Sequence, residues 1–263
     1  SVDGMSKNEV KNWIGDYNDA KKIADETGLQ THYDNDQGWQ IIYNNGTEDK
    51  TINVSDFNDV DTFIKNYKKA ADIAAQTGMG INFDAENHRW QVTYNNGTEE
   101  KAINVSSIGD TEGFIEGYNK AKTISDGTDM GLNFSSGNWY VTYNDGKDSI
   151  RVSGIEDPQT FIQQYNDAQK IAKETGEAFT LNYNSNKGWN ISYYNGQRNV
   201  SINMSDIQDV DQFITDYNKV AAINTDGKAK LSYDSETGIW TAKSGNDTVN
   251  ADQINIKDDG TVL

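Results

Sequence analysis

The sequence predicts an α+β fold: five tandem αβββ repeats, each a single helix packed on a three-stranded antiparallel sheet, forming an elongated array. Three observations predict it. The stretch "GWQIIYNNGTEDKTINVSD" (Gly38 to Asp56) returns 51 residues later as "RWQVTYNNGTEEKAINVSS" (Arg89 to Ser107). A helix-like anchor recurs as "WIGDYNDAKKIADETG", "FIKNYKKAADIAAQTG", "FIEGYNKAKTISDGTD", "FIQQYNDAQKIAKETG" and "FITDYNKVAAINTDGK". These begin at Trp13, Phe63, Phe114, Phe161 and Phe213, so the spacings are 50, 51, 47 and 52 residues. One tryptophan follows each anchor, at Trp39, Trp90, Trp139, Trp189 and Trp240. A fixed period of this size marks a repeat architecture. The repeats divide as 6–56, 57–107, 108–154, 155–206 and 207–263.

The anchor carries helical periodicity. In the second copy Phe63, Tyr67, Ala70 and Ala74 fall at i, i+4, i+7 and i+11, and Ile64, Ala71 and Ile73 widen the stripe. Four residues before the aromatic stands an acid, Asp59, Asp110, Asp157 or Asp209, placed to cap the helix. Asp157-Pro158 adds proline at the first helical position, and Asp209 with Gln212 has capping-box spacing. Gly28, Gly78 and Gly176 stand where a left-handed residue would end the helix.

Three strand-like runs follow. The first is short, Ile81-Asn82-Phe83 or Leu181-Asn182-Tyr183. The second alternates, as in Trp90-Gln91-Val92-Thr93-Tyr94, and runs into an Asn-Gly pair expected to form a tight hairpin turn at Asn45-Gly46, Asn96-Gly97 and Asn195-Gly196, with Asp145-Gly146 in the third copy. The third is Ile103-Asn104-Val105 or Ile202-Asn203-Met204, and the last copy finishes with "QINIKDDGTVL", taken as its third strand. Nothing strand-like precedes the first helix, which sets the order as αβββ. Only about four residues join one repeat to the next helix ("SDFND", "SDIQD"), which predicts a stiff rod. Small-angle scattering should therefore give a radius of gyration well above the ~18 Å of a compact domain of this length; a compact value sinks the rod.

Composition narrows the function. Apolar residues make up 35% and aromatics 11%, but mean hydropathy is -0.82, which fits small cores with much surface. The net charge of -18 and the lack of a basic cluster exclude phosphate-neutralising contact with nucleic acid and disfavour an anionic membrane surface. There is no cysteine, so disulfides, cysteine-ligated zinc and cysteine nucleophiles are excluded. No apolar run reaches the ~20 residues of a membrane span. No signal peptide is visible, and "SVDGMSKNEV" reads as the start of an excised fragment.

No catalytic constellation assembles. His32 and His88, the only histidines, occupy different places in their repeats. "DNDQG" from Asp34 opens like a calcium loop, yet its counterparts vary in length and lack the distal glutamate. The junction acids Asp56, Asp59 and Asp61 are the better calcium candidates, but the fourth copy reads "GIEDPQ", and capping explains the acids without metal. No cofactor and no metal is expected, and the chain is read as non-enzymatic. The tryptophans could stack on sugars, and "GWNISYYNG" has the style of choline- and glucan-binding repeats, which are hairpins of about twenty residues without a helix. Strand alternation argues otherwise: Trp39, Ile41 and Tyr43 share the apolar side with Tyr33, Ile52 and Val54, enough to cover one helix. The five tryptophans and Phe63, Phe114, Phe161 and Phe213 are therefore assigned to the core. Gln40, Gln91, Tyr140, Asn190 and Thr241 are assigned to the exposed face, where they vary between copies. The Asn-x-Ser/Thr triplets at Asn45, Asn53, Asn96 and Asn104 are read as composition.

Units of "FIxxYNxAxxIAxxTG" followed by "GWxVTYNNG" resemble the repeat regions of cell-wall-associated surface proteins of Gram-positive bacteria, lactic acid bacteria in particular. The αβββ order and the ending "INIKDDGTVL" also look like PepSY-type modules, associated with peptidase inhibition or regulation. The first resemblance implies an extracellular adhesin or its stalk, at the cell surface or wall, with a host or cell-wall glycan or protein as partner. A monomer is expected, with no membrane insertion and no LPxTG-type anchor in the chain. The second functional class is a ligand-binding array for glycans or peptides with one shallow site per unit.

Overall fold

The structure is a computed structural model that describes residues 4, 6–57, 59–224 and 227–255. Five helices alternate with five three-stranded antiparallel sheets. Repeat 1 comprises α1 (Lys7–Thr27), β1 (Gln30–Asp34), β2 (Gly38–Asn44) and β3 (Asp49–Asn53); repeat 2 comprises α2 (Val60–Thr77), β4 (Gly80–Asp84), β5 (Arg89–Asn95) and β6 (Glu100–Asn104). Repeat 3 holds α3 (Thr111–Asp126), β7 (Gly131–Ser135), β8 (Asn138–Tyr143) and β9 (Asp148–Arg151). Repeat 4 holds α4 (Pro158–Glu174), β10 (Thr180–Asn184), β11 (Gly188–Tyr194) and β12 (Asn199–Asn203). Repeat 5 holds α5 (Val210–Ile223), β13 (Lys230–Asp234), β14 (Ile239–Ser244) and β15 (Asp247–Asn250). Every sheet is a meander with its second strand in the middle. The chain divides into two compact units, Ser1–Ser125 with Asp129–Ser153, and Asp126–Thr128 with Gly154–Leu263.

The helices start where a side-chain acceptor meets free N–H groups. Asp59 accepts from the Thr62 N–H at 3.0 Å, Asp110 from Gly113 at 3.0 Å, Asp157 from Gln159 at 3.0 Å and Asp209 from Gln212 at 2.9 Å. Only the forward half of the Asp209–Gln212 box is made. A full box appears instead in α1, where Ser6 accepts from the Glu9 N–H and Glu9 accepts from the Ser6 N–H. Gly28 (φ 76) and Gly78 (φ 73) end α1 and α2 in the left-handed conformation. Gly176 does not cap α4: Thr175 does, and the left-handed turn falls one step later, at Gly176 and Glu177.

Each helix lies on the apolar side of its own sheet. In repeat 2, Trp90, Val92 and Tyr94 of β5 are buried together with Phe63, Ile64, Ala70 and Ile73 of α2. Register sets Phe83 opposite Trp90, and Val92 opposite both Ile81 and Ile103. The third strand is shorter than its apolar pattern suggests. β6 stops at Asn104, and Val105, fully buried, opens a 3-10 turn over Val105–Ser107. Met204 does the same after β12. In the last copy the third strand is β15; "QINIKDDGTVL" lies beyond it, with Ala251–Gln253 forming the turn and 256–263 outside the described residues. The αβββ order holds although the strand that argued for it lies earlier in the chain.

The outer sheet face also differs from expectation. Gln40 is 7% exposed, and Gln91, Tyr140, Asn190 and Thr241 are half-buried. A middle strand has neighbours on both sides, and their side chains lean over it. Amides close the face as a ladder: Asn82 donates to Gln91 at 3.0 Å and Gln91 to Asn104 at 3.2 Å. Gln40 donates to Asn53 at 2.9 Å. These positions are part of the sheet's own packing.

Candidate functional site

The tryptophans centre each core. Trp90, Trp139, Trp189 and Trp240 are at most 4% exposed, while Trp39 is half-buried. Trp90 meets Phe63 at 5.2 Å, Tyr67 at 5.0 Å and Phe83 at 5.2 Å between ring centroids. Phe114, Phe161 and Phe213 meet Trp139, Trp189 and Trp240 in the same way, at 5.3, 5.3 and 5.2 Å. The indole N–H of Trp139 donates to the Phe114 carbonyl at 3.0 Å, whereas those of Trp90 and Trp240 are buried without a partner. Gly117 explains the difference. A Cβ there would come within 2.9 Å of Trp139 Cδ1, so the ring sits tight on the helix. Asn66 and Asp216 stand at that position in α2 and α5. An orphaned buried donor costs about 1–3 kcal/mol.

The fourth ring on Trp90 comes from the repeat before. Tyr43 packs edge-on at 4.9 Å, as Tyr94 does on Trp139 at 4.9 Å and Tyr193 on Trp240 at 5.1 Å. The same tyrosines serve the next repeat's backbone. Tyr43 Oη accepts from the Phe83 N–H at 3.1 Å, and Tyr94 Oη from the Phe134 N–H at 3.2 Å. Tyr193 Oη donates to the Leu231 carbonyl at 3.4 Å. Burial pushes the Tyr193 phenol up to about 12, so it stays a neutral hydroxyl at ordinary pH.

The Asn-Gly loop completes this joint and corrects the expected turn. Asn45 is not a central residue with positive φ; Gly46 (φ 107) is the only left-handed residue of the pair. Asn45 donates its N–H to Glu48, but the Glu48 N–H bonds the Asn45 side-chain Oδ1 at 2.9 Å. The side-chain carbonyl thus replaces the main-chain one, and the Asn45 C=O turns outward to accept from the Ile81 N–H at 3.1 Å. Asn96 accepts from Leu132 at 2.9 Å and Asn195 from Leu231 at 3.0 Å in the same way. A strand edge offers unpaired N–H groups, and here the neighbouring repeat pairs them. Close approach demands glycine: a Cβ on Gly131 would lie 2.8 Å from the Asn96 oxygen and 2.8 Å from Thr142 Oγ1. In the third copy Asn144, Asp145 and Gly146 all have positive φ, a different loop. The helices add Asn119 donating to the Gln76 carbonyl at 3.3 Å, Asn218 to Glu174 at 3.2 Å, and the pairs Lys22–Asp61 and Lys170–Asp211 at 2.5 Å.

The joint, then, is where the repeated residues converge. Its tyrosines and Asn-Gly carbonyls were read from the sequence only as strand and turn; the recurring Tyr-x-Asn-Gly run was the available signal. The other sequence candidates disperse. Asp59 caps α2 and Asp61 pairs with Lys22, and among the described residues no cluster of three metal-binding side chains forms. His32 lies exposed on β1 and His88 in a turn with φ 53. The Asn45 and Asn96 side chains are spent inside their loops, and Asn53 and Asn104 in the amide ladder. A cleft of about 290 Å³ lies beside Trp139, lined by Gly113, Glu116, Gly117, Asn138 and Arg151, and a groove of about 660 Å³ runs along the joint past Thr93, Tyr94, Ala102 and Lys122.

Hydrogen bonds to Thr160 and Gln159 hold the Asp157 carboxyl below its ordinary value, and bonds to Thr62 do so for Asp59. A folded pKa below the unfolded one means stability present above the unfolded value of about 3.9 and lost as pH falls through the folded value. Asp157→Ala should speed amide exchange at 159–161 at neutral pH and abolish the acid dependence there; unchanged exchange would place the start of α4 elsewhere.

No family model, no curated protein and no solved structure matches the chain.

Proposed function

We propose that this chain is a non-enzymatic scaffold, the stalk or adhesive region of a bacterial cell-surface protein. The supporting observation is the joint. Each of Tyr43, Tyr94 and Tyr193 is committed twice, to the next repeat's tryptophan and to its strand edge, so these recurring residues are occupied by the chain itself. Among the described residues no helix is long and apolar enough to cross a membrane. Extracellular placement and a host or wall partner follow from the resemblance in repeat style.

A ligand-binding array remains the second reading, favoured by the cleft beside Trp139. Gly113 and Gly117 widen that cleft; at the same place in repeat 2, where Thr62 and Asn66 are their counterparts, the cleft beside Trp90 is smaller, about 180 Å³. Titration of the whole chain with mucin, wall polysaccharide and matrix protein separates the readings. Saturable binding with one site per repeat contradicts the scaffold. Binding at one repeat, or none, supports an adhesive region or a stalk.

A further inference from the structure

The joints between repeats 1 and 2, 2 and 3, and 4 and 5 share one plan. A hairpin brings a tyrosine and an outward asparagine carbonyl; the next repeat receives them with the backbone groups at the edge of its first strand and with its tryptophan ring. Repeat 1 has the same receiving face, and among the described residues nothing covers it. Thr31 and Tyr33 of β1 stand at the positions of Ile81 and Phe83, in the same register with the middle strand. By that register their N–H groups point away from β2, as those of Ile81 and Phe83 point away from β5, and among the described residues they meet no acceptor outside their sheet. Trp39 is ringed by Trp13, Tyr17 and Tyr33 but has no counterpart of Tyr43 on Trp90. The exposure agrees. Ile14 is 48% exposed where Ile64 is 3% and Ile214 is 5%, and Tyr17 is 39% exposed where Tyr118 is 5%. Asn18 holds the position from which Asn119 and Asn218 reach the preceding helix's last carbonyls.

We propose that the open face of repeat 1, the β1 edge with Ile14, Tyr17 and Trp39, docks the Tyr-x-Asn-Gly hairpin of a further repeat of this same class. The occupant is specified by continuity with the three joints already formed. Gln30 stands where Gly80 and Gly131 admit the loop, but Lys230 holds that place at the joint of repeats 4 and 5 and the loop of Gly196 still seats there. Repeat 5 does not supply the hairpin. Ser244 replaces its tyrosine and the connection is Gly245-Asn246, so end-to-end association of two copies lacks both docking elements. Charge narrows the choice further. Lys11 stands where Asp61 and Asp211 accept a lysine, so the incoming helix should present an acid; repeat 2 carries Asp72 at the place of Lys22. The inference needs only the joint geometry and is independent of whether the array is stalk or adhesin.

The test replaces residues 1–9 with an added repeat. A second copy of residues 57–110 is joined directly to Val10, which keeps the native spacing from cap to aromatic, and amide exchange is compared with the unextended chain. Exchange at Thr31 and Tyr33 should slow by roughly tenfold or more. The protection should vanish when the added copy carries the substitution equivalent to Tyr94→Ala. A second extension, residues 155–209 with Lys170→Asp to present an acid to Lys11, carries Tyr193 and Asn195-Gly196 and guards against failure of the first to fold. If neither extension protects Thr31 and Tyr33, the proposal is overturned. It is equally overturned if the unextended chain protects them by itself as its concentration rises, since a second copy would then be the occupant.

Discussion

Trp90→Ala is expected to unfold the second repeat while leaving repeats 4 and 5 folded. Removing a buried aromatic of this size costs about 3–5 kcal/mol. Trp90 is 1% exposed and is touched by rings from α2, from β4 and from the hairpin of repeat 1, so no single neighbour can move in to fill the void. A repeat of about fifty residues has little stability of its own to absorb such a loss. Amide exchange across 60–105 should rise sharply, and the loss should reach Tyr43, whose ring then faces a cavity. A tryptophan that stacked on sugar would behave in the opposite way: Trp90→Ala would melt like the parent and lose carbohydrate binding. That outcome would replace the scaffold with the binding array.

The second large effect is displaced by one repeat. Tyr94 belongs to β5, yet its ring lies on Trp139 and Tyr118 and its hydroxyl on the Phe134 N–H. Tyr94→Ala should therefore destabilise repeat 3 at least as much as repeat 2, by about 3 kcal/mol or more, the size of loss seen when a buried aromatic is cut to alanine. Tyr94→Phe keeps the ring and deletes the acceptor, leaving one strand-edge N–H unpaired at a cost of about 1–3 kcal/mol. Its signature is local, with faster exchange at Phe134 and little change at Val92. If Tyr94→Ala loosened only its own repeat, the hairpin would not be the joint.

Much of a single repeat is legible in its residues. Period-3.6 and period-2 patterns, acids before the aromatic and glycine after the helix each act within a few residues, where local chemistry decides the outcome. The αβββ order and the tryptophan side of the sheet follow from them. What was not legible depends on what a strand meets outside its own repeat. The outer face at Gln40 looked exposed because alternation marks sides and says nothing of the side chains that lean over a middle strand. Val105 and Met204 continued an apolar strand pattern but are buried from a turn. Asn45-Gly46 matched a two-residue hairpin, and its local statistics could not show that the asparagine carbonyl would be claimed by Ile81, thirty-six residues on. The joint lies in a motif that strand alternation and turn chemistry already explain, so the pattern assigns its tyrosines to their own sheet and not to the next repeat. Ser6 and Glu9 were missed for another reason: the first helix begins one turn earlier than the other four, ahead of the pattern that located them.

The account rests on strand edges being paired by neighbouring repeats. Native-state hydrogen exchange reads this directly at Ile81, Phe83, Leu132, Phe134 and Leu231, set against Thr31 and Tyr33 in the same chain. The joints predict that the first five are protected like amides inside their sheets and that Thr31 and Tyr33 exchange as open edges. If all seven exchange alike and fast, the repeats are independent beads and the scaffold account is contradicted.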